Sequence, residues 1–130
     1  MTEANFLETL GINPMGFVDQ QYVIELEVVP LHLNIGGIVH GGVICSLLDT
    51  ALARSFFMSL PEGNLAAATL EMKVNFLGSV KEGKLMAYGR VVNTTRRTAY
   101  VEGYVESENG KLLAKGTATM MLFSERRVRE

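Results

Sequence analysis

Apolar and polar residues alternate along six stretches of the chain, which is the pattern of half-buried β-strands. The six predicted strands cover residues 15–18, 22–29, 65–77, 84–93, 98–107 and 112–123. The connections between the last four are short, and the Asn109-Gly110 pair in one of them favours a tight hairpin. We therefore expect consecutive strands in the second half of the chain to pair as antiparallel neighbours in a meander.

Between the two groups of strands, residues 41–58 have the length and the composition of an α-helix. This segment is apolar on almost all sides, so we expect it to be buried. A helix of this kind needs a sheet to cover it, which predicts an α+β fold with an antiparallel β-sheet wrapped around one long central helix. Residues 5–10 are predicted as a short additional helix that Gly11 closes. The length of 130 residues fits one domain over residues 1–130.

Composition narrows the class of protein. The net charge is −2, so a nucleic-acid partner is not expected. Hydrophobic residues make up 48% of the chain, which together with the open edges of the predicted sheet favours a homo-oligomer. The single cysteine fits a reducing compartment, and neither a signal peptide nor a membrane span is indicated. We therefore expect a cytoplasmic protein that does not contact membranes.

The predicted N-terminus of the long helix is the first candidate for chemistry. His40, Gly41 and Gly42 stand where unpaired backbone N–H groups and the helix dipole can bind a phosphate or polarise a carbonyl oxygen. Asn34 precedes His40 by six residues across a loop that contains glycines, and both side chains could orient a substrate or a water molecule. The alternative is a flexible turn before a helix, with two side chains that only stabilise the loop.

The second candidate is Asp49, near the middle of the helix. Apart from histidine, Asp49 and Arg54 are the only charged residues between Leu33 and Phe57. Arg54 lies about 140° around the helix from Asp49, so the two do not share a face. A carboxylate in apolar surroundings is costly without a partner, so Asp49 has either a structural partner elsewhere in the fold or a function. The residues alone leave both interpretations open.

One motif links these two candidates. It reads Asn34-x-x-Gly37-x-x-His40-Gly41-Gly42, followed by Asp49 within Leu48-Asp49-Thr50-Ala51. This pattern resembles the hotdog-fold acyl-CoA thioesterases, in particular the PaaI-like and the thioesterase superfamily member 2 groups. The order of strands fits over most of the chain, whereas the specific motif covers residues 34–50. The resemblance implies a single hotdog domain, an acyl-CoA substrate, no cofactor or metal, and a homodimer as the active unit that pairs further into a homotetramer.

The resemblance also implies a role for each matching residue. The backbone N–H of Gly41, helped by Asn34, polarises the thioester carbonyl. Asp49 from the partner subunit acts as the general base or as the nucleophile. His40 positions the thioester end of the substrate, and the hydroxyl of Thr69 on the strand after the helix holds the water.

Three further residues are expected at the substrate. Gly42 adjoins the site at the start of the helix, and Arg96 and Arg97 could contact the phosphates of coenzyme A, for which arginine is well suited. The alternative for the arginines is solvated charge at a hairpin.

The alternation along the strand at residues 65–77 conflicts with the role implied for Thr69. It places Ala68, Leu70 and Met72 on one apolar face and Thr69 on the other, so Thr69 points away from the helix unless a β-bulge intervenes. The methionines Met58, Met72 and Met86 are expected mainly in the core, although they could line an acyl pocket.

Other functions remain open at this point. A hotdog domain that binds acyl-CoA without hydrolysing it would not need the carboxylate of Asp49. A dehydratase on the same fold would be expected to pair histidine with aspartate in a different loop pattern. Cys45 could suggest a cysteine hydrolase, but it lies inside the predicted helix without an evident orienting group and is expected to be a small buried residue.

Overall fold

The computed structural model describes residues 5–61 and 65–124, and the predicted elements are present there with ends within two residues of those expected. The elements are α1 (Phe6–Leu10), β1 (Asn13–Val18), β2 (Gln21–Glu27), a 3₁₀ turn (Pro30–His32), α2 (Gly41–Phe57), β3 (Leu65–Phe76), β4 (Lys84–Thr94), β5 (Thr98–Ser107) and β6 (Leu112–Ser124). The six strands form one antiparallel sheet that packs against α2. The α+β architecture predicted from the alternation is confirmed.

The order of strands in the sheet differs from a simple meander. It is β1-β2-β4-β5-β6-β3, so β3 pairs with β6 at one edge and β4 pairs with β2. The expectation that β3 and β4 are neighbours is therefore wrong. The connection 77–83 crosses the end of the β5–β6 hairpin, where the N–H groups of Leu77 and Gly78 donate to the carbonyl of Leu113. Seven residues can span up to about 23 Å, whereas three strand spacings require only about 14 Å, so this connection did not have to be a hairpin.

One face of α2 is buried in the concave side of the sheet. Its buried residues are Val43, Ile44, Leu47, Leu48, Ala51, Leu52, Ser55 and Phe56. Gly89 on β4 permits this close packing, because a β-carbon at that position would overlap the carbonyl group of Ala51. The opposite face, which includes Cys45, Asp49 and Ala53, is only partly covered. The expected burial of the helix therefore holds for one face, and the candidate carboxylate lies on the other.

Strands β1 and β3 form the two edges of the sheet. Within residues 5–61 and 65–124, no helix combines the length and the apolar character needed to span a membrane.

Candidate active site

A β-bulge in β3 determines which of its side chains face the helix. Thr69 lies opposite Met120 and Glu71 lies opposite Thr119, so Leu70 is an extra residue in the ladder. Before the bulge, Ala67 and Thr69 face α2; after it, Met72 and Val74 pack against the core. The side chain of Leu70 is 57% exposed, and Ala68 is exposed as well. The expectation from simple alternation, which put Ala68 and Leu70 inside and Thr69 outside, is wrong because the bulge reverses the faces.

The bulge brings Thr69 to Asp49. The hydroxyl Oγ1 of Thr69 donates to Oδ1 of Asp49 at 2.9 Å, and it lies 3.5 Å from the sulfur of buried Met120. Among the described residues the ion pairs join Lys84 to Glu25 and Arg90 to Glu102, so Asp49 takes part in none of them. A half-exposed carboxylate with one hydroxyl partner keeps free lone pairs that can accept a proton from a water molecule.

Among the described residues, Arg54, the other charged residue of α2, forms neither an ion pair nor a hydrogen bond with Asp49. Its Nη1 atom donates to the phenol oxygen of buried Tyr22 at 3.3 Å. The separation around the helix expected from the sequence therefore agrees with the observed contacts.

Cys45 lies one helical turn before Asp49 and is half-buried rather than fully buried. Burial, and then the negative charge of Asp49, raise the pKa of the Cys45 thiol. A raised pKa keeps the thiol protonated at neutral pH, and the thiolate is the nucleophilic form. This argues against Cys45 as a catalytic nucleophile.

At the start of α2, His40 caps the helix. Its Nδ1 atom accepts the N–H of Gly42 at 2.7 Å, which implies that the other ring nitrogen, Nε2, carries the proton. A β-carbon at Gly42 would lie 2.9 Å from His40 Nδ1, so the cap requires glycine there. Because the cap occupies its N–H, Gly42 can adjoin a substrate but does not offer this donor to it. The exposed His40 ring can present Nε2–H to a ligand.

The N–H of Gly41, by contrast, donates to no other group in the described part of the chain. It is the first residue of a 17-residue helix, so this donor lies at the positive end of the helix dipole. The ring of Phe76, at the end of β3, covers this residue: a β-carbon at Gly41 would lie 3.4 Å from two ring atoms. An available N–H beside an apolar ring can stabilise negative charge on a carbonyl oxygen.

Asn34 lies in the loop that leads into α2. Its Oδ1 atom accepts the N–H groups of Gly36 at 2.9 Å and Ile38 at 3.3 Å, and the bridge between Leu33 and Val39 closes the loop. These bonds assign the other amide atom as Nδ2, whose N–H groups have no partner among the residues that the structure describes. Asn34 therefore stabilises the loop that leads into α2 and retains a free amide donor.

Arg96 and Arg97 are exposed in the β4–β5 hairpin. The N–H of Leu122 donates to the carbonyl of Arg97 at 2.6 Å, and this end of β6 pairs with the first residues of β3. Within one chain, the structure thus does not bring the two arginines to Asn34, His40 and Gly41.

The candidate residues form two clusters on one chain. His40 and Gly41 lie at the start of α2 with Asn34 in the loop before it, and Asp49 with Thr69 lies near the middle of the helix. Gly41 and Asp49 are eight residues apart on the helix, a separation of about 12 Å at about 1.5 Å per residue. The sequence indicated neither Phe76 beside Gly41 nor Met120 beside Thr69, because both contacts depend on the pairing of β3 with β6.

Comparison with known proteins identifies the family. Residues 36–114 match the sequence model of the thioesterase superfamily. A variant of the phenylacetic acid degradation protein PaaI from Thermus thermophilus is 31% identical, with a TM-score of 0.79 over 89% of this chain and 96% of that one. A Bacillus halodurans protein solved with CoA is 28% identical, with a TM-score of 0.84 over 92% of this chain and 80% of that one.

A curated Archaeoglobus fulgidus relative, which carries a provisional esterase name, is 38% identical over 72% of this chain. The chain spans about 60% of the length of that relative. The family match covers more than half of this chain, and the superposed structures confirm the hotdog fold that the motif implied. The chain belongs to the thioesterase superfamily.

Proposed function

We propose that the chain hydrolyses acyl-CoA thioesters to the free acid and CoA. The observation that carries this proposal is the pair formed by Asp49 and Thr69 on the open face of α2, together with the free N–H of Gly41 at the start of the same helix. Asp49 supplies a base, and Thr69 supplies a hydroxyl that can hold water. The N–H of Gly41 supplies a donor for the oxyanion. The CoA in the structure of the Bacillus halodurans relative supports a CoA ester as the substrate.

The active site is shared between two subunits in this proposal. A reacting carbonyl must lie within about 3 Å of both the attacking group and the oxyanion donors. Within one chain, Gly41 and Asp49 are about 12 Å apart along the helix, which is too far for both to act on one thioester. The open edge of β3 and the partly covered face of α2 support a homodimer in which Asp49 of one subunit meets Gly41 of the other. A dimer of dimers remains a prediction from the family.

The chemistry follows from these positions. Asp49 takes a proton from a water molecule that the hydroxyl of Thr69 helps to hold, and the water oxygen attacks the thioester carbon. The N–H of Gly41 and Nδ2 of Asn34 stabilise the charge that develops on the carbonyl oxygen. When the C–S bond breaks, the thiolate of CoA takes up the proton from Asp49. His40 orients the thioester through Nε2–H, Gly42 borders the substrate, and Arg96 and Arg97 contact the phosphates of CoA.

The alternative mechanism uses Asp49 as the nucleophile. Its carboxylate then attacks the thioester carbon and expels the thiolate, and water hydrolyses the resulting anhydride in a second step. The contact with Thr69 leaves one carboxylate oxygen available in either case.

A thiol-release assay over a panel of acyl-CoA esters tests the proposal. We expect the wild-type protein to release CoA from at least one ester with saturation kinetics. Isothermal titration calorimetry with the same esters measures their binding independently of hydrolysis. Binding of acyl-CoA without release of CoA would contradict the enzymatic function and favour a hotdog domain that only binds its ligand.

A further inference from the structure

His32 is a buried histidine that the proposed chemistry does not use. It ends the 3₁₀ turn Pro30–His32, and 1% of its surface is exposed. Its Nδ1 atom accepts the N–H of Val29 at 3.0 Å, and Nε2 lies 2.6 Å from the carbonyl oxygen of Leu10. Because Nδ1 is the acceptor, the proton of the neutral ring is on Nε2, which donates to Leu10. The ring therefore joins the turn after β2 to the last residue of α1.

The backbone of His32 belongs to the segment that carries the proposed oxyanion donors. Its carbonyl accepts the N–H of His40 at 2.8 Å. This bond and the bridge that closes the loop make residues 32–40 a short hairpin. Asn34 follows His32 by two residues, and His40 ends the hairpin directly before Gly41. His32 thus stands at the base of the hairpin that contains Asn34 and leads into Gly41.

We propose that His32 is a positioning residue of the active site. Through the hydrogen bond from its buried ring to the carbonyl of Leu10, it holds the hairpin so that Asn34 and Gly41 can stabilise the oxyanion of thioester hydrolysis. This inference rests on the proposed function, because it assigns how those two donors are held. His32 itself contacts neither the substrate nor the reacting atoms.

Each arm of the hairpin has a hydrogen bond to another part of the fold. In the second arm, the N–H of Val39 donates to the carbonyl of Val80 at 2.9 Å, in the connection between β3 and β4. In the first arm, the ring of His32 bonds to Leu10, which lies 22 residues away in the chain. Leu10 packs with Leu7 against the hydrophobic core, so α1 offers a fixed point of attachment.

The bond from Val29 to the ring acts over a shorter range. Two backbone bonds also close this turn: the N–H of His32 donates to the carbonyl of Val29 at 2.9 Å, and that of Leu33 donates to Pro30 at 3.1 Å. Loss of the ring acceptor therefore leaves the turn closed. We expect the bond to Leu10, rather than the bond from Val29, to control where the hairpin lies.

The position of the hairpin matters for the rate because oxyanion donors act over a narrow range of distances. Donors must lie about 2.7–3.1 Å from the place that the oxyanion takes up. A displacement of about 1 Å, even one caused far from the reacting atoms, can lower the rate about 100-fold. A donor that acts only in the transition state changes kcat and leaves KM nearly unchanged.

Two substitutions of His32 each keep one of its hydrogen bonds. In His32→Asn, the amide oxygen can take the place of Nδ1 and accept the N–H of Val29, but the side chain is too short for Leu10. In His32→Gln, the amide nitrogen can take the place of Nε2 and donate to Leu10. The two variants therefore lose one buried hydrogen bond each, and only His32→Asn loses the one that holds the hairpin.

Thiol release is measured with the acyl-CoA ester that the wild-type protein hydrolyses fastest, at a temperature where circular dichroism shows both variants to be folded. We expect His32→Asn to lower kcat about 10- to 100-fold and to leave KM within about threefold. His32→Gln is expected to keep kcat within about threefold of wild type. The ¹⁵N shifts of the wild-type imidazole are expected to show the proton on Nε2.

A role in stability alone would give a different result. Both variants would then unfold at a lower temperature, and both would turn over at the wild-type rate while folded. Equal kcat values in His32→Asn and His32→Gln, whether unchanged or reduced, would overturn the assignment to the Leu10 bond. A ring that carries its proton on Nδ1 would overturn it as well.

Glycine variants repeat the test if His32→Asn fails to fold. The carbonyl of Leu10 is joined to the nitrogen of Gly11, whose φ of 79° is disfavoured for alanine. Gly11→Ala therefore turns this carbonyl away from His32, although its β-carbon would meet only Leu26, at 4.0 Å. Gly110→Ala imposes the same strain at φ 82° in the β5–β6 turn, where a β-carbon meets nothing within 4 Å.

We expect Gly11→Ala to lower kcat at least about threefold and Gly110→Ala to keep it within about twofold. Equal kcat values in these two variants would overturn the inference. The proposed function fails separately, and in the wild-type protein, if no ester of the panel releases CoA.

Discussion

Replacing Asp49 by asparagine is expected to lower the kcat for acyl-CoA hydrolysis by about 100- to 10,000-fold, the range typical of a lost general base. Asparagine has almost the same size as aspartate, and its amide oxygen can still accept the hydroxyl of Thr69. The substitution therefore removes the base while leaving the contact at 2.9 Å available to the folded protein. Thiol release at saturating substrate measures the effect.

The same substitution at Asp19 serves as the control. Asp19 is exposed in the turn between β1 and β2 with a φ of 49°, a backbone conformation that asparagine also tolerates. We expect Asp19→Asn to keep kcat within about twofold. If Asp49→Asn retained wild-type kcat while still binding acyl-CoA, Asp49 would be structural and the proposed chemistry would be wrong.

Replacing Gly41 by proline is expected to lower kcat by about 100- to 1,000-fold, because it removes the backbone N–H assigned to the oxyanion. Gly41 is the first residue of α2, where proline is well accommodated in helices. His40 before it has φ −63° and ψ 137°, an extended conformation that suits a residue preceding proline. The variant should therefore unfold within a few degrees of the wild-type midpoint.

Gly41→Ala separates loss of the N–H from a change in shape. Alanine keeps the donor, and its β-carbon would lie 3.4 Å from the Phe76 ring, close to ordinary contact. We expect this variant to retain kcat within about tenfold. Equal losses in Gly41→Ala and Gly41→Pro would show that the space beside Phe76, rather than the N–H, controls the rate.

The helix and the strands were predictable because alternation, helix formers and turn residues are local properties of the chain. The pairing of β3 with β6 was not predictable, because the connection 77–83 is long enough for β3 to lie next to either β4 or β6. The bulge at Leu70 was also hidden, since this leucine continues the apolar alternation although it faces outward. Two consequences of the bulge, the contact of Thr69 with Asp49 and the inward position of Ala67, therefore became evident only from the structure.

In the candidate site too, some features were predictable from local sequence and others depend on contacts between distant parts of the chain. Asp49 and the segment His40-Gly41-Gly42 were identifiable from their residue types and their spacing, because both belong to one helix and its cap. The different roles of the two glycines could not be predicted. The N–H of Gly42 donates to the capping His40 side chain, whereas the N–H of Gly41 remains available. Met120 and Phe76 approach the site from other strands, and no local pattern predicts contacts at that separation in sequence.

Gly41 of one subunit and Asp49 of another are proposed to act on the same thioester. The hydrolysis rate of Asp49→Asn and Gly41→Pro chains that are unfolded, mixed in equal amounts and refolded together tests this shared site. With random pairing, about one site in four receives an intact Asp49 from one chain and an intact Gly41 from the other, so about a quarter of wild-type activity should return. If both residues acted within one chain, no site would be intact, and activity no higher than that of the two separate variants would rule out the shared site.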